Sequence, residues 1–336
     1  MIIRIVLLAV SLAFSAIAIA DSTAETNTAN RFEQIKQNPA KLRSFIYAMP
    51  KGGDLHLHES GAAFAENLVR YAANDHLCLN PTTYEAYVDP NCQQEDLLSN
   101  ALTDKNKMKQ VVAAWSMQDF QSGKESAHDH FFAAFGKFSA ITKVHHAEML
   151  AELSKRAEEQ NEQYVEVMLT TDAARGAALG EQIGWDGNIE ATWQKIKAAN
   201  IDEIVKFGSQ QLSVDEAKKS EILGCQSKPN QAGCQIKVRY IAQIGREQTP
   251  ARVFGQMVAA FELASKDPRV VGLNLVQAED GKLSSRDYDL HMNMLAFLHK
   301  HYPATHITLH AGELSDAVTQ PDMMKSHIRD AVEIAR

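Results

Sequence analysis

Residues 49–60 read MPKGGDLHLHES. The Pro50-Lys51-Gly52-Gly53 run stops any helix that precedes it. DLHLH, residues 54–58, then alternates leucine with histidine. A period of two is the pattern of a β-strand, with the leucines on one face and both imidazoles on the other. Side chains two apart on a strand are separated by about 6.6 Å at Cα, so His56 and His58 can reach a shared point. Two histidines on a wet polar face need no explanation. A strand of a parallel sheet is covered by helices on both faces, however, and buried histidines there need partners. A divalent ion about 2.0–2.1 Å from each ring nitrogen would satisfy both.

Four later runs have the same strand character: QYVEVMLT (163–170), IKVRYIAQI (236–244), VVGLNLV (270–276) and HITLHAG (306–312). Helical stretches separate them. PARVFGQMVAAFELASK starts with Pro250 near its first turn, where proline is tolerated. SRDYDLHMNMLAFLHKHY (285–302), residues 188–222 and much of 104–160 also read as helix. In 128–141, Phe131, Phe132, Phe135 and Phe138 fall at helical spacing and are expected in a core. Alternating strand and helix predicts an α/β fold with a parallel sheet, which a doubly wound sheet and an eight-stranded barrel both satisfy. No GxGxxG follows a strand, and no P-loop is present, so nothing supports dinucleotide or nucleotide-phosphate binding of those kinds.

The last of the strand runs ends in HITLHAGE, residues 306–313. Ligands at the carboxyl ends of parallel strands share one crevice, so His310 is expected to join His56 and His58 around one ion. Three imidazoles favour zinc. Glu313, three residues on, is placed to move a proton beside that ion. His306 enters the strand at the opposite end and is expected away from the metal. His299, His301, His145 and His146 are expected to be surface or core residues.

The whole composition limits the alternatives. Lysine and arginine number 34 against 42 acidic residues, a formal charge of −8, which gives no electrostatic reason to hold nucleic acid. A hydrophobic fraction of 45% over 336 residues supports a large core and excludes a disordered chain. At the N-terminus, Arg4 precedes an apolar run from Ile5 to Ala20 that closes on Ala18-Ile19-Ala20. This is the pattern of a secretory signal peptide cut after Ala20, and the run is short for crossing about 30 Å of hydrocarbon. Residues 1–20 are therefore expected to be a signal peptide that leaves no stable membrane anchor, and the mature protein to be secreted or periplasmic. Residues 21–48 are expected to form a polar, flexible segment (21–30) and a helix (31–48) interrupted by Pro39, and residues 49–336 the main domain. An oxidising compartment favours disulfides. Of the three pairings that four cysteines allow, Cys78 with Cys92 and Cys225 with Cys234 closes two short polar loops. No CxxC occurs, which argues against a cysteine metal site.

MPKGGDLHLHESGA, VVGLNLVQAEDG (270–281) and ITLHAGE, in this order, resemble the adenosine deaminase family, most closely its secreted growth-factor-like branch. The resemblance implies a (β/α)8 barrel. It implies Zn2+ held by His56, His58 and His310, and Glu313 as the acid that protonates the purine N1. Water activated by the zinc would attack C6 of adenosine or a related adenine nucleoside, giving ammonia and the hypoxanthine product.

Three departures from the family pattern stand out. Family members carry an acidic, ribose-contacting residue two places after the second histidine; here that place is Ser60, preceded by Glu59. Gln277 stands where the family's strand-four segment has glycine, so it would narrow the base pocket or bond a different base. The family's later histidine and Asp-Asp pair are not found before Arg336. The barrel is thus expected to be incomplete, with five strands. The chain is expected to be a fragment of a longer protein, and this span alone inactive or poorly active. The alternatives are a non-catalytic secreted protein that binds a nucleoside or a metal, and another barrel metallohydrolase acting on amides or esters.

Overall fold

The computed structural model describes residues 23–172, 174–319 and 321–335. The expected signal peptide lies outside the described residues. Residues 23–51 and the chain from Gly52 onward form two compact units.

In the first unit a helix covers 23–35 and a second runs from Pro39 to Ala48. Residues 23–30 are therefore helical rather than flexible. Their polar side chains hide a run with Ala24, Glu25 and Ala29, which favour helix. Pro39 does not interrupt a helix. It occupies the first turn of a new one, capped by Asn38, whose side chain accepts from the Lys41 amide at 3.1 Å, as proline at N1 permits. The Lys51 ammonium closes the far end by donating to the carbonyls of Ile46, Tyr47 and Met49.

The second unit is built on five strands: β1 (Gly52–His58), β2 (Glu162–Leu169), β3 (Lys237–Gly245), β4 (Val270–Val276) and β5 (His306–Leu309). All neighbours are parallel and the order is β1-β2-β3-β4-β5. The sheet is an open half-barrel surrounded by helices, an incomplete (β/α)8-type arrangement. Val165 and Val167 of β2, Tyr240 and Ile244 of β3 and Leu273 and Leu275 of β4 pack with Phe254, Met257 and Phe261 into the main core. Those last three belong to the helix Pro250–Lys266, buried on nearly every side. The helix Arg175–Ile183, not expected from the sequence, crosses it backbone to backbone. A Cβ on Gly180 would lie 2.0 Å from the Ala251 carbonyl oxygen, and one on Gly255 2.3 Å from that of Gly176, so only glycine permits this approach.

A flat five-stranded sheet would hold its edge strands about 19 Å apart, at about 4.8 Å per neighbour. Two imidazoles cannot bridge that gap. The contact between histidines of β1 and β5 described below therefore requires a strongly curled sheet. β1 also departs from the expected regular strand. Asp54 pairs with Val165 and Leu57 with Val167, so β1 holds one residue more than β2 over this stretch, a β-bulge. Leu55, at 60% exposure, is extruded from the core, whereas Leu57 packs on it.

A helical insertion between β1 and β2 has its own core, made by Leu68, Val69, Leu98, Val111, Trp115, Phe138 and Ile141 among others. Phe138 is buried there as expected. Phe131 is not, being 44% exposed: the phenylalanine stripe turns gradually out of the core. The insertion contains a small antiparallel ribbon, Cys78–Leu79 with Ala86–Tyr87, and a Cys78–Cys92 disulfide. The Cys225–Cys234 disulfide closes the loop before β3. Two stretches read as continuous helix are split. Asn200, at φ +55°, separates Ile189–Ala198 from Ile201–Ile222, and Asp287 separates Lys282–Arg286 from Tyr288–His301. Among the described residues no helix is long and apolar enough to cross a membrane.

Candidate metal centre

The carboxyl ends of the strands carry the chemistry. His58 is the last residue of β1, and His310 follows directly on β5, which ends at Leu309, three residues sooner than expected. The His310 Nε2 lies 3.0 Å from His56 Nε2 and 3.1 Å from His58 Nε2. These three residues are the described group able to hold a metal ion. They are not sealed in the interior: His56 is exposed, and His58 and His310 are half-buried. His306 starts β5 beside Gly272 and is not part of the cluster.

The tautomers suit a cation. His310 Nδ1 is 2.6 Å from the Asn274 Oδ1 and 3.1 Å from the Leu275 carbonyl oxygen. Both are acceptors as drawn, so Nδ1 carries the hydrogen and Nε2 presents its lone pair. The Gln243 side chain hydrogen-bonds His58 and is itself anchored on the Thr170 hydroxyl at 2.9 Å. Such outer partners fix the ring orientation of metal-binding histidines. Burial, together with His310 and His56, lowers the His58 pKa to about 4. Burial, His56 and Arg246 lower that of His310 to about 4. Both rings are therefore neutral near pH 7, as ligands must be. One lone pair on His310 cannot accept good hydrogen bonds from both neighbours, whereas one cation serves all three nitrogens. The donor set fits a borderline divalent metal.

The loop after His310 is held from β3 and β4. Arg246, one residue beyond β3 and 1% exposed, donates Nη1 to the His310 carbonyl at 2.8 Å and Nε to that of Gln277 at 3.0 Å. Glu279, three residues beyond β4 and 2% exposed, accepts from the Gly312 amide at 2.9 Å and the Glu313 amide at 2.7 Å. His327 Nδ1 meets its other oxygen at 2.8 Å, and the His327 ring stacks on Tyr288 with centroids 3.7 Å apart. Hydrogen bonds to charged groups contribute about 1.5–3 kcal/mol each, enough to make this exposed turn rigid. Gly312, at φ +93°, supplies the left-handed residue. The Glu313 side chain is exposed.

The two unusual positions resolve differently. Gln277 has φ +77°, a conformation that explains why glycine suits this place. Its side-chain oxygen accepts from the Glu247 amide at 2.8 Å, tying the ends of β3 and β4 together. Ser60 is half-buried in the short helix Glu59–Ala62. Its neighbour Glu59 is buried and turns to His146, 2.6 Å away. Burial pushes the Glu59 carboxyl pKa up; burial is also the largest influence on His146 and opposes its charge, but the bond to Glu59 and the charges of Glu59, Asp215 and Glu148 together outweigh it and raise the imidazole pKa. The helix Ala127–Lys137 passes beside this exit. A Cβ on Gly61 would lie 3.4 Å from the Phe135 ring and 3.6 Å from the His58 Cβ. The same helix reaches the loop after β4, where His128 Nε2 is 3.0 Å from Asp280.

Sequence reasoning brought the three histidines together but missed Asn274, Arg246 and Glu279. The available signal was position: each is a polar residue in or just after an otherwise apolar strand run, where the ladder cannot satisfy it.

No protein-family model matches the chain, and no curated protein matches it. Among solved structures, it is similar to an adenine deaminase from Arthrobacter aurescens, with a TM-score of 0.43 and 13% identity over 85% of this chain and 63% of that one. It is also similar to the Arabidopsis protein ADAL complexed with IMP, with a TM-score of 0.44 and 15% identity over 84% of this chain and 63% of that one. The chain thus spans 63% of the length of each. Likeness at these scores says nothing of chemistry, which rests on the side chains. A tri-histidine cluster at the carboxyl ends of a parallel half-barrel is consistent with a metal-dependent hydrolase.

Proposed function

We propose that this protein, in its full-length form, is a zinc-dependent aminohydrolase that converts adenosine or a related adenine nucleoside to inosine-type product and ammonia. The observation that carries this reading is the convergence of the His56, His58 and His310 Nε2 atoms. These residues would hold the zinc, and three neutral nitrogens leave room for a further ligand. When bound, zinc supplies Lewis acidity and brings the pKa of water toward neutrality. The protein's own groups do the rest. Glu313 delivers a proton to the purine N1, removing charge from the ring as C6 becomes tetrahedral. Asn274 and Gln243 keep two of the imidazoles aimed. Phe135, which packs near Gly61, would offer an apolar wall for a planar base, and Ser60 and Gln277 would contact the substrate. The two local disulfides support export to an oxidising compartment.

The test uses the full chain as its open reading frame encodes it, loaded with zinc and checked for folding. Ammonia release from adenosine is expected, and Glu313→Gln is expected to lower turnover about a hundredfold or more while zinc stays bound. No ammonia from folded, zinc-loaded protein overturns the reading. The exposed Glu313 side chain favours one alternative, a metal site that binds a nucleoside without turning it over. Tight nucleoside binding with no product would establish it.

A further inference from the structure

We propose that Glu279 is a positioning residue for this site: its buried carboxylate fixes the main chain between the third histidine and the acid, and so sets where Glu313 can deliver its proton. The inference rests on the reading of Glu313 given above. Both Glu279 oxygens are engaged. Oε2 accepts from the amides of Gly312 and Glu313, at 2.9 and 2.7 Å, and Oε1 from the Gly312 amide at 3.1 Å and from His327 Nδ1 at 2.8 Å. These amides belong to a left-handed turn beyond the last residue of β5, and among the described residues no strand ladder holds them. Without an acceptor the turn would keep the fastening of His310 by Arg246, Asn274 and the Leu275 carbonyl, none of which reaches Gly312 or Glu313. The division of labour follows from these contacts. Arg246 and Asn274 hold the candidate ligand, and Glu279 holds the two residues beyond it. Loss of Glu279 therefore loosens the acid while the imidazole stays in place.

Glutamine keeps the length of the side chain but replaces one acceptor oxygen by an NH2 group that would face backbone donors. The experiment compares wild type, Glu279→Gln and Glu279→Asp in the zinc-loaded full chain. Glu262→Gln is the control for general destabilisation, because Glu262 is an equally buried carboxylate held by Lys197, Lys266 and Tyr302, away from the site. In Glu279→Gln, the amides of Gly312 and Glu313 are expected to exchange hydrogen at least tenfold faster. With adenosine, kcat is expected to fall ten- to a hundredfold with KM changed less than threefold, and zinc affinity to stay within threefold. Glu279→Asp, which keeps the charge, is expected to recover part of both losses. Unchanged exchange at 312 and 313, or the same exchange and kcat losses in Glu262→Gln, overturns the proposal. If Glu279→Gln does not fold, Glu279→Asp decides on the same two readouts, with shifts of at least threefold expected. If wild type releases no ammonia, the exchange and zinc measurements still judge Glu279, and only the deaminase reading fails.

Discussion

The exits of β1 and β5 deliver their histidines to the same point by different means. β1 presents His56 and His58 two residues apart at the strand's end, His56 beside the bulge and His58 back in register with Met168. β5 is only four residues long, and its histidine lies beyond it. There the aim comes from groups on neighbouring strands: Asn274 on the ring, Arg246 on the carbonyl, Glu279 on the turn. Periodicity aims one exit and a buried polar network aims the other. A pleat is a local property, whereas the network exists only after three strands have assembled.

This contrast can be broken experimentally. The largest effect is expected from removing a ligand at either exit. His58→Ala and His310→Ala should each weaken zinc binding by a hundredfold or more, measured by chelator competition, since both supply one of three nitrogens. A much milder loss at one exit would show that its histidine is not a ligand. Next comes the aim itself. Asn274→Ala leaves all three imidazoles in place but removes the Nδ1 partner of His310. Zinc affinity should fall ten- to a hundredfold, the usual range for such outer partners. Unchanged affinity would mean that the main-chain geometry at the end of β5 aims His310 without its Nδ1 partner.

The smallest effect on the site belongs to the amino end of the sheet, which serves as the reference. Burial pushes the Asp267 pKa up, but the hydrogen bonds from Arg269 and Ser209 outweigh it and hold the pKa at about 2. A depressed carboxylate pKa stabilises the fold above its unfolded value near 4, and that stability is lost as pH falls toward 2. Asp267→Asn should therefore cost up to about 2 kcal/mol at pH 7, with the gap between variant and wild type closing between pH 4 and pH 2. Zinc affinity at pH 7 should not change. Thermal unfolding across pH checks the first expectation, and the same chelator titration the second.

Much of the scaffold is legible in the sequence because it is local. All five strands and the Pro250–Lys266 helix follow from apolar runs and punctuation, and the histidine set from a period of two together with the common end of parallel strands. What was hidden is non-local or a matter of one residue. The split at Asn200 depends on a single left-handed residue within a helical composition. The exposure of Phe131 depends on where the insertion stops covering its helix. Arg246 and Glu279 look in sequence like ordinary loop charges after a strand, and only the curl of the sheet buries them.

The bulge in β1 has a bearing on how this segment tolerates length change. With Leu55 extruded, Asp54 falls level with Val165 and Leu57 with Val167, so Asp54 shares the leucine side and its carboxylate bonds the His56 amide at 3.0 Å. A chain shortened by Leu55 would keep both pairings, so the aspartate would stay on the leucine side, away from the imidazoles, and the segment could lose the extruded residue without re-aiming either histidine.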